Sequence, residues 1–152
     1  MQKTIISDTS CLILLDKIGE LELLKKLFQT VTITPEIAKE YNLPLPNWLV
    51  LESPTNKTYQ LILEASLDKG ESSAIALGLE KTNSLLIMDV LKGRKFAEKL
   101  GLKITGTLGI LIIAKRQNLI SSVKPALEKI KQTDFRFSKN LEKTLLRLSG
   151  EK

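Results

Sequence analysis

Four carboxylates stand out by where they fall in the chain. Asp8 and Asp89 each close a short apolar run, Glu71 opens a stretch of helical spacing, and Glu40 lies in the segment begun by Pro35. In an open parallel sheet, ligands bind beyond the carboxyl ends of the strands, where the connections diverge. Acids gathered on that one rim would repel each other, and some would stay protonated. A divalent cation on oxygen ligands removes the conflict, and Mg²⁺ or Mn²⁺ suits an all-carboxylate site that keeps several waters. Such an ion activates water and stabilises charge on a scissile phosphate, which is phosphodiester hydrolysis without imidazole. The 152-residue chain contains no histidine. Ser-His-Asp and Cys-His triads, histidine zinc sites and imidazole-based nucleases are therefore excluded.

Each acid also has a purely structural reading. Asp8 and Asp89 suit the N-caps of the helices that follow their strands. Glu71 sits at the third helical position of Asp68-Lys69-Gly70-Glu71, where it would close a capping box. Glu36 favours the start of its helix electrostatically, and Glu40 suits a solvent-facing position. No one of these residues persuades alone; their combination with the absence of histidine carries more weight.

The elements that must position these acids follow from periodicity. Thr4-Ile5-Ile6-Ser7 reads as a buried strand, with Thr9 or Ser10 capping the next helix. Gly19 breaks that helix, and Leu21, Leu24, Leu27 and Phe28 mark a second at 3–4 spacing. Val31-Thr32-Ile33 is a strand, and Thr34-Pro35 opens a helix with its cap and an N1 proline. Pro44 and Pro46 force a loop before an edge strand at Trp48–Leu51. A helix is expected over 57–67, another from the Asp68 capping box, and the most apolar strand at Ser84–Met88. Arg94–Lys99 reads as a helix, Leu102–Thr105 as a final core strand, and Gly106–Gly109 as a turn into a helix over Ile110–Lys115. Amphipathic helices are expected at 123–132 and 138–148, with apolar stripes at Leu127, Ile130, Leu141, Leu145 and Leu148. Short apolar strands alternating with helices imply an α/β domain, a parallel sheet covered on both faces.

Hydrophobic residues make up 43% and charged residues 26%, ordinary for a soluble domain. No run approaches the roughly 20 apolar residues that cross a bilayer, and Met1–Asp8 meets an acid too early for a signal peptide. Cys11 is the only cysteine, so a cytoplasmic location is expected. Net charge is +6 and uneven: Met1–Ala114 holds 13 basic and 13 acidic residues, Lys115–Lys152 holds 10 and 4. A basic segment on a neutral body suggests a polyanionic partner, or else a solvated tail or a site for an acidic protein.

The ordered motifs resemble a known family. Ile5-Ile6-Ser7-Asp8-Thr9-Ser10 and Ile33-Thr34-Pro35-Glu36-Ile37-Ala38-Lys39-Glu40 are similar to the opening of PIN domains. More specific are Leu67-Asp68-Lys69-Gly70-Glu71-Ser72-Ser73-Ala74-Ile75-Ala76-Leu77, Leu86-Ile87-Met88-Asp89, Lys92-Gly93-Arg94-Lys95, Gly101–Gly109 and Asp134-Phe135-Arg136-Phe137-Ser138. Together they look like VapC-like prokaryotic PIN proteins, over nearly the whole chain. The resemblance implies one Rossmann-like three-layer α/β/α domain with a short parallel sheet, residues 1–120 forming its core and 121–152 its C-terminal helices. It implies an Mg²⁺- or Mn²⁺-dependent endoribonuclease, often the toxin of a toxin–antitoxin pair, and frequently a homodimer.

Carried over by position, the catalytic acids are Asp8, Glu40, Glu71 and Asp89, with Asp8, Asp89 and Glu71 as metal ligands. Glu40 is preferred to Glu36 because the family glutamate lies further into that helix. Thr9, Ser10 and Thr107 are candidates for hydroxyl contacts to metal-bound water or phosphate; Lys92, Arg94, Lys115 and Arg116 are candidates for phosphate contacts, although the reading as solvated helix charges is favoured for them. Two departures are plain: Val90 stands where relatives commonly carry a second acid, and Glu71 where many carry aspartate. They keep open a second reading, a weakened or inactive PIN-like module that binds nucleic acid or protein. A receiver or aspartyl phosphatase is disfavoured because Asp8 is followed by Thr9 and Ser10 rather than a second acid, and no dinucleotide or P-loop glycine pattern occurs.

Overall fold

The computed structural model describes residues 3–152; Met1 and Gln2, the start of the opening tested above for a signal peptide, lie outside them. The elements in chain order are β1 (Thr4–Ser7), α1 (Thr9–Lys17), α2 (Glu22–Phe28), β2 (Val31–Ile33), α3 (Pro35–Tyr41), β3 (Leu49–Leu51) and α4 (Thr58–Leu63). There follow α5 (Lys69–Glu80), β4 (Ser84–Ile87), α6 (Leu91–Lys99), β5 (Lys103–Thr105), α7 (Thr107–Arg116), α8 (Lys124–Lys131) and α9 (Lys139–Leu148).

The five strands form one parallel sheet in the order β3-β2-β1-β4-β5, flanked by helices. The expected α/β architecture is present. From β1 the chain steps outward through β2 to β3, then returns to the other side of β1 as β4. The direction of winding therefore reverses between β1 and β4, and the crevice of such a sheet opens at that reversal. Ser7 pairs with Ile87 in the last register of these strands, which brings Asp8 and Asp89 out on the same rim.

Central strands buried on both faces need apolar residues at successive positions. Ile5, Ile6, Leu86 and Ile87 are all buried. Above them α5 packs on β1 and β4 and also meets α3, α4 and α6, while α7 contacts α1, α2 and α9. Thr34 caps α3 as expected, its Oγ1 accepting from Ile37 N at 3.2 Å.

Several boundaries differ from the periodicity. Helix α6 begins at Leu91 and α7 at Thr107, each three residues before its expected start. Neither has a side-chain cap, so the sequence carries no start signal there. Helix α4 spans only Thr58–Leu63 of the expected 57–67, and Asp68 caps the next helix by accepting from Glu71 N. Strand β5 is the second edge of the sheet, with Lys103 exposed, rather than a core strand. The α8 stripe (Leu127, Ile130) is buried, whereas on α9 only Leu145 is, and Leu141 and Leu148 remain exposed. No helix among the described residues is long and apolar enough to cross a membrane.

Candidate active site

Asp8 follows β1 and caps α1, the structural role its position suited, in place of Thr9 or Ser10: its Oδ1 accepts from Cys11 N at 2.9 Å. Its Oδ2 accepts from the backbone N–H of Asp89 at 3.1 Å. Asp89, just past β4, turns its own carboxylate the other way, Oδ1 accepting from Thr107 N at 2.8 Å and Oδ2 from Thr107 Oγ1 at 2.6 Å. Gly106 permits this. A methyl on its Cα would lie 2.6 Å from Asp89 Oδ1 and 2.9 Å from Arg94 Nη1.

The structure distributes the remaining acids unevenly. Asp8, Glu40 and Glu71 line one cavity of about 300 Å³ with Thr9, Ser10, Ile13 and Asp68. Asp89 instead lines the neighbouring groove of about 680 Å³, which runs to Arg94, Phe135, Phe137 and Leu141. Glu40 Oε1 accepts from Thr9 Oγ1 at 2.7 Å, and its carboxylate lies directly over the Cα of Gly70, in the space that a methyl there would take. Glu36 is elsewhere, accepting from Gln60 Nε2 at 2.6 Å, so the choice of Glu40 over Glu36 agrees with where the side chains lie.

Burial is what makes these acids unusual. Asp8 is 3% exposed, and desolvation, reinforced by the charge of Asp89 and more weakly of Glu71, raises its pKa from 3.8 to about 7 against the two N–H bonds that oppose it. Glu71 is also pushed up, first by burial and then by the charges of Asp68 and Glu40, with Lys92 pulling down. Among the described residues, neither Asp8 nor Asp89 has a lysine or arginine within 4.0 Å. Cys11, fully buried beside them, is held well above the usual thiol range by burial and both aspartates, so it supplies no thiolate nucleophile.

A hard cation would relieve this repulsion, and the donors facing the cavity are all oxygens. Among the described residues, no three acidic or cysteine side chains are gathered closely enough to enclose a metal. Mg²⁺ is ordinarily held by one or two carboxylates with waters completing its shell, so the donor set still fits.

Residues 4–151 match a family model described as a PIN domain. The chain belongs to the PIN-domain family. PIN domains are generally nucleases and generally use divalent metals, which accords with an acidic rim that contains no histidine. No curated protein and no solved structure gives a significant match to this PIN domain.

The basic and hydroxyl residues expected at phosphate divide sharply. Ser10 is exposed in the acidic cavity and Lys92 is exposed in the first turn of α6. Arg94 lines the adjoining groove with Nη1 donating to Met88 O at 3.0 Å. Thr107 is fully buried and spends its hydroxyl on Asp89, so it orients a carboxylate instead of meeting phosphate. Lys115 and Arg116 are corrections too. They end α7, whereas its first turn holds Asp89, and ten residues of helix separate those ends by roughly 15 Å. Lys115 Nζ donates to Ser149 O at 3.2 Å with Glu151 at 3.6 Å, and Arg116 Nη2 donates to Leu148 O at 3.1 Å. Both hold the C-terminal end of α9. Sequence reasoning missed Asp68, which it treated only as a cap; the acid at that cap also faces the cavity shared with Glu40 and Glu71.

Proposed function

We propose that this PIN domain is a metal-dependent endoribonuclease whose centre is the Asp8–Asp89 pair. The observation that carries the reading is a buried carboxylate, Asp8, held against Asp89 with no cation within 4.0 Å of either among the described residues. In this reading Asp8, Asp89 and Glu71 hold Mg²⁺ or Mn²⁺. When bound, the ion polarises water and offsets charge on the phosphate. Glu40 Oε1 is engaged by Thr9, which leaves Oε2 to accept a proton from the attacking water. Thr107 keeps the Asp89 oxygens in place, and Lys92 draws the phosphate backbone toward the rim.

The test is cleavage of end-labelled RNA in MgCl₂ by protein purified free of host nuclease. Asp8→Asn is expected to abolish cleavage with the fold intact, and unchanged cleavage would remove Asp8 from the mechanism. Resemblance of the motifs to VapC-like proteins extends the proposal to the toxin of a toxin–antitoxin pair, acting as a homodimer. Induced expression should then arrest growth, and Asp8→Asn should relieve the arrest.

A second reading, a binding module with a weakened site, is favoured by Val90 in place of an acid and by the absence of a closed three-acid cluster among the described residues. Titration with Mn²⁺ separates the two. A bound ion raises the thermal midpoint by mass action, about 2.7 kcal/mol at 100 times Kd, while a lost site shows no specific rise.

A further inference from the structure

The groove beyond Asp89 belongs to no element of the reaction just described, yet it shares that residue as a wall. Its volume of about 680 Å³ lies within the roughly 300–1,000 Å³ typical of small-molecule pockets. Its lining holds Asp89, Arg94 and Arg136 together with the aromatic and aliphatic side chains of Phe135, Phe137 and Leu141. The two phenyl rings stand 6.4 Å apart at 48°. Arg94 and Arg136 each use Nη1 on backbone carbonyls, Met88 O for the first, Thr133 O and Phe135 O for the second. Their Nε and Nη2 atoms have no protein acceptor among the described residues. Leu141, also in the lining, is 43% exposed.

We propose that this groove receives the base of the ribonucleotide next to the scissile phosphate, and so sets sequence preference. The inference rests on the nuclease reading of the Asp8–Asp89 rim. A nucleotide matches the lining in both its parts. Its phosphate is anionic and suits a groove lined by arginines, while its base is flat and stacks on aromatic, aliphatic or guanidinium surfaces when splayed from a single strand. An apolar helix from a protein partner would fill the Leu and Phe part but cover two arginines whose Nε and Nη2 it could not satisfy, which is costly. Asp89 lines the groove and its backbone N–H donates to Asp8, so a base seated here adjoins the acidic rim.

The experiment is amide-shift mapping of the full chain with each of the four ribonucleoside 5′-monophosphates in EDTA, where no cleavage occurs. Expected are shifts in amides 106–109 and 135–145, a preference among the four bases, and at least a fivefold weaker affinity in Arg136→Gln and Leu141→Asn. Shifts elsewhere, no shifts, or equal affinity in both groove variants would overturn the inference. So would groove shifts that follow protein concentration without nucleotide, which would mean a second copy covers the site. If wild type cleaves RNA while the groove stays silent, only this inference falls. If the groove binds and RNA is never cleaved, only the nuclease reading falls.

Discussion

Thr107 gives Asp89 two donors at once, its backbone N–H to Oδ1 at 2.8 Å and its hydroxyl to Oδ2 at 2.6 Å. A carboxylate gripped on both oxygens cannot rotate, so the Asp89 geometry is built into the first turn of α7. Removing the hydroxyl in Thr107→Val leaves Oδ2 short of a partner. Because Asp89 is only half-buried, the stability loss is expected near the low end of the range for such a deletion, about 1 kcal/mol. RNA cleavage should fall more, roughly 10–100-fold, as when a group orienting a metal ligand is lost. Urea denaturation and cleavage assays check both, and Thr107→Ser should restore activity.

Gly70→Ala tests the position of Glu40. The added methyl would occupy the space of the Glu40 carboxylate, which is on an exposed, flexible side chain and can swing aside. Stability should change by no more than about 1 kcal/mol, while Glu40 is driven from the Thr9 hydroxyl. A fall in kcat with an unmoved thermal midpoint is the expected result; equal loss in both would point to a folding defect.

How much of this was legible beforehand depends on what kind of signal each residue leaves. Asp8 and Asp89 follow apolar strand runs, and the Thr34-Pro35 cap has a local signature, so the parallel sheet and its acidic rim could be read directly. Which cavity each acid faces could not, because that depends on pairings such as Asp89 with Thr107 that no local pattern encodes. Lys115 and Arg116 misled for the same reason: a basic pair on a helix looks alike at either end. Their carbonyl partners on α9 exist only after the C-terminal helix folds back. Asp68 was hidden by serving as an N-cap, a role that accounts for an aspartate without any further chemistry.

Asp8 makes stability depend on pH. Its pKa is about 7 in the folded chain against an ordinary value of 3.8, so protonation favours the folded state. That contribution is fully present below about pH 4 and is lost as pH rises through 7. The difference of about three units corresponds to roughly 4 kcal/mol. Without divalent metal, chemical denaturation should show Asp8→Asn flattening the decline between pH 4 and 8. Wild-type decline unchanged in the variant would assign the titration to another group.

Lys115→Ala should act on the fold and not on RNA. Its partners are Ser149 O and Glu151, in a half-buried setting. A stability loss of about 1 kcal/mol or less, with no change in the salt dependence of RNA binding, is expected. A reduced salt slope would instead return Lys115 to the phosphate contacts.

The most direct measurement is a crystal soaked with Mn²⁺ and examined by anomalous scattering, for wild type and for Asp8→Asn. Expected in wild type is one Mn²⁺ within bonding distance of an Asp8 oxygen, linked to Asp89 directly or through one water, and absent from the variant. Manganese bound away from these two aspartates, or none at millimolar concentration, would contradict a shared cation between Asp8 and Asp89.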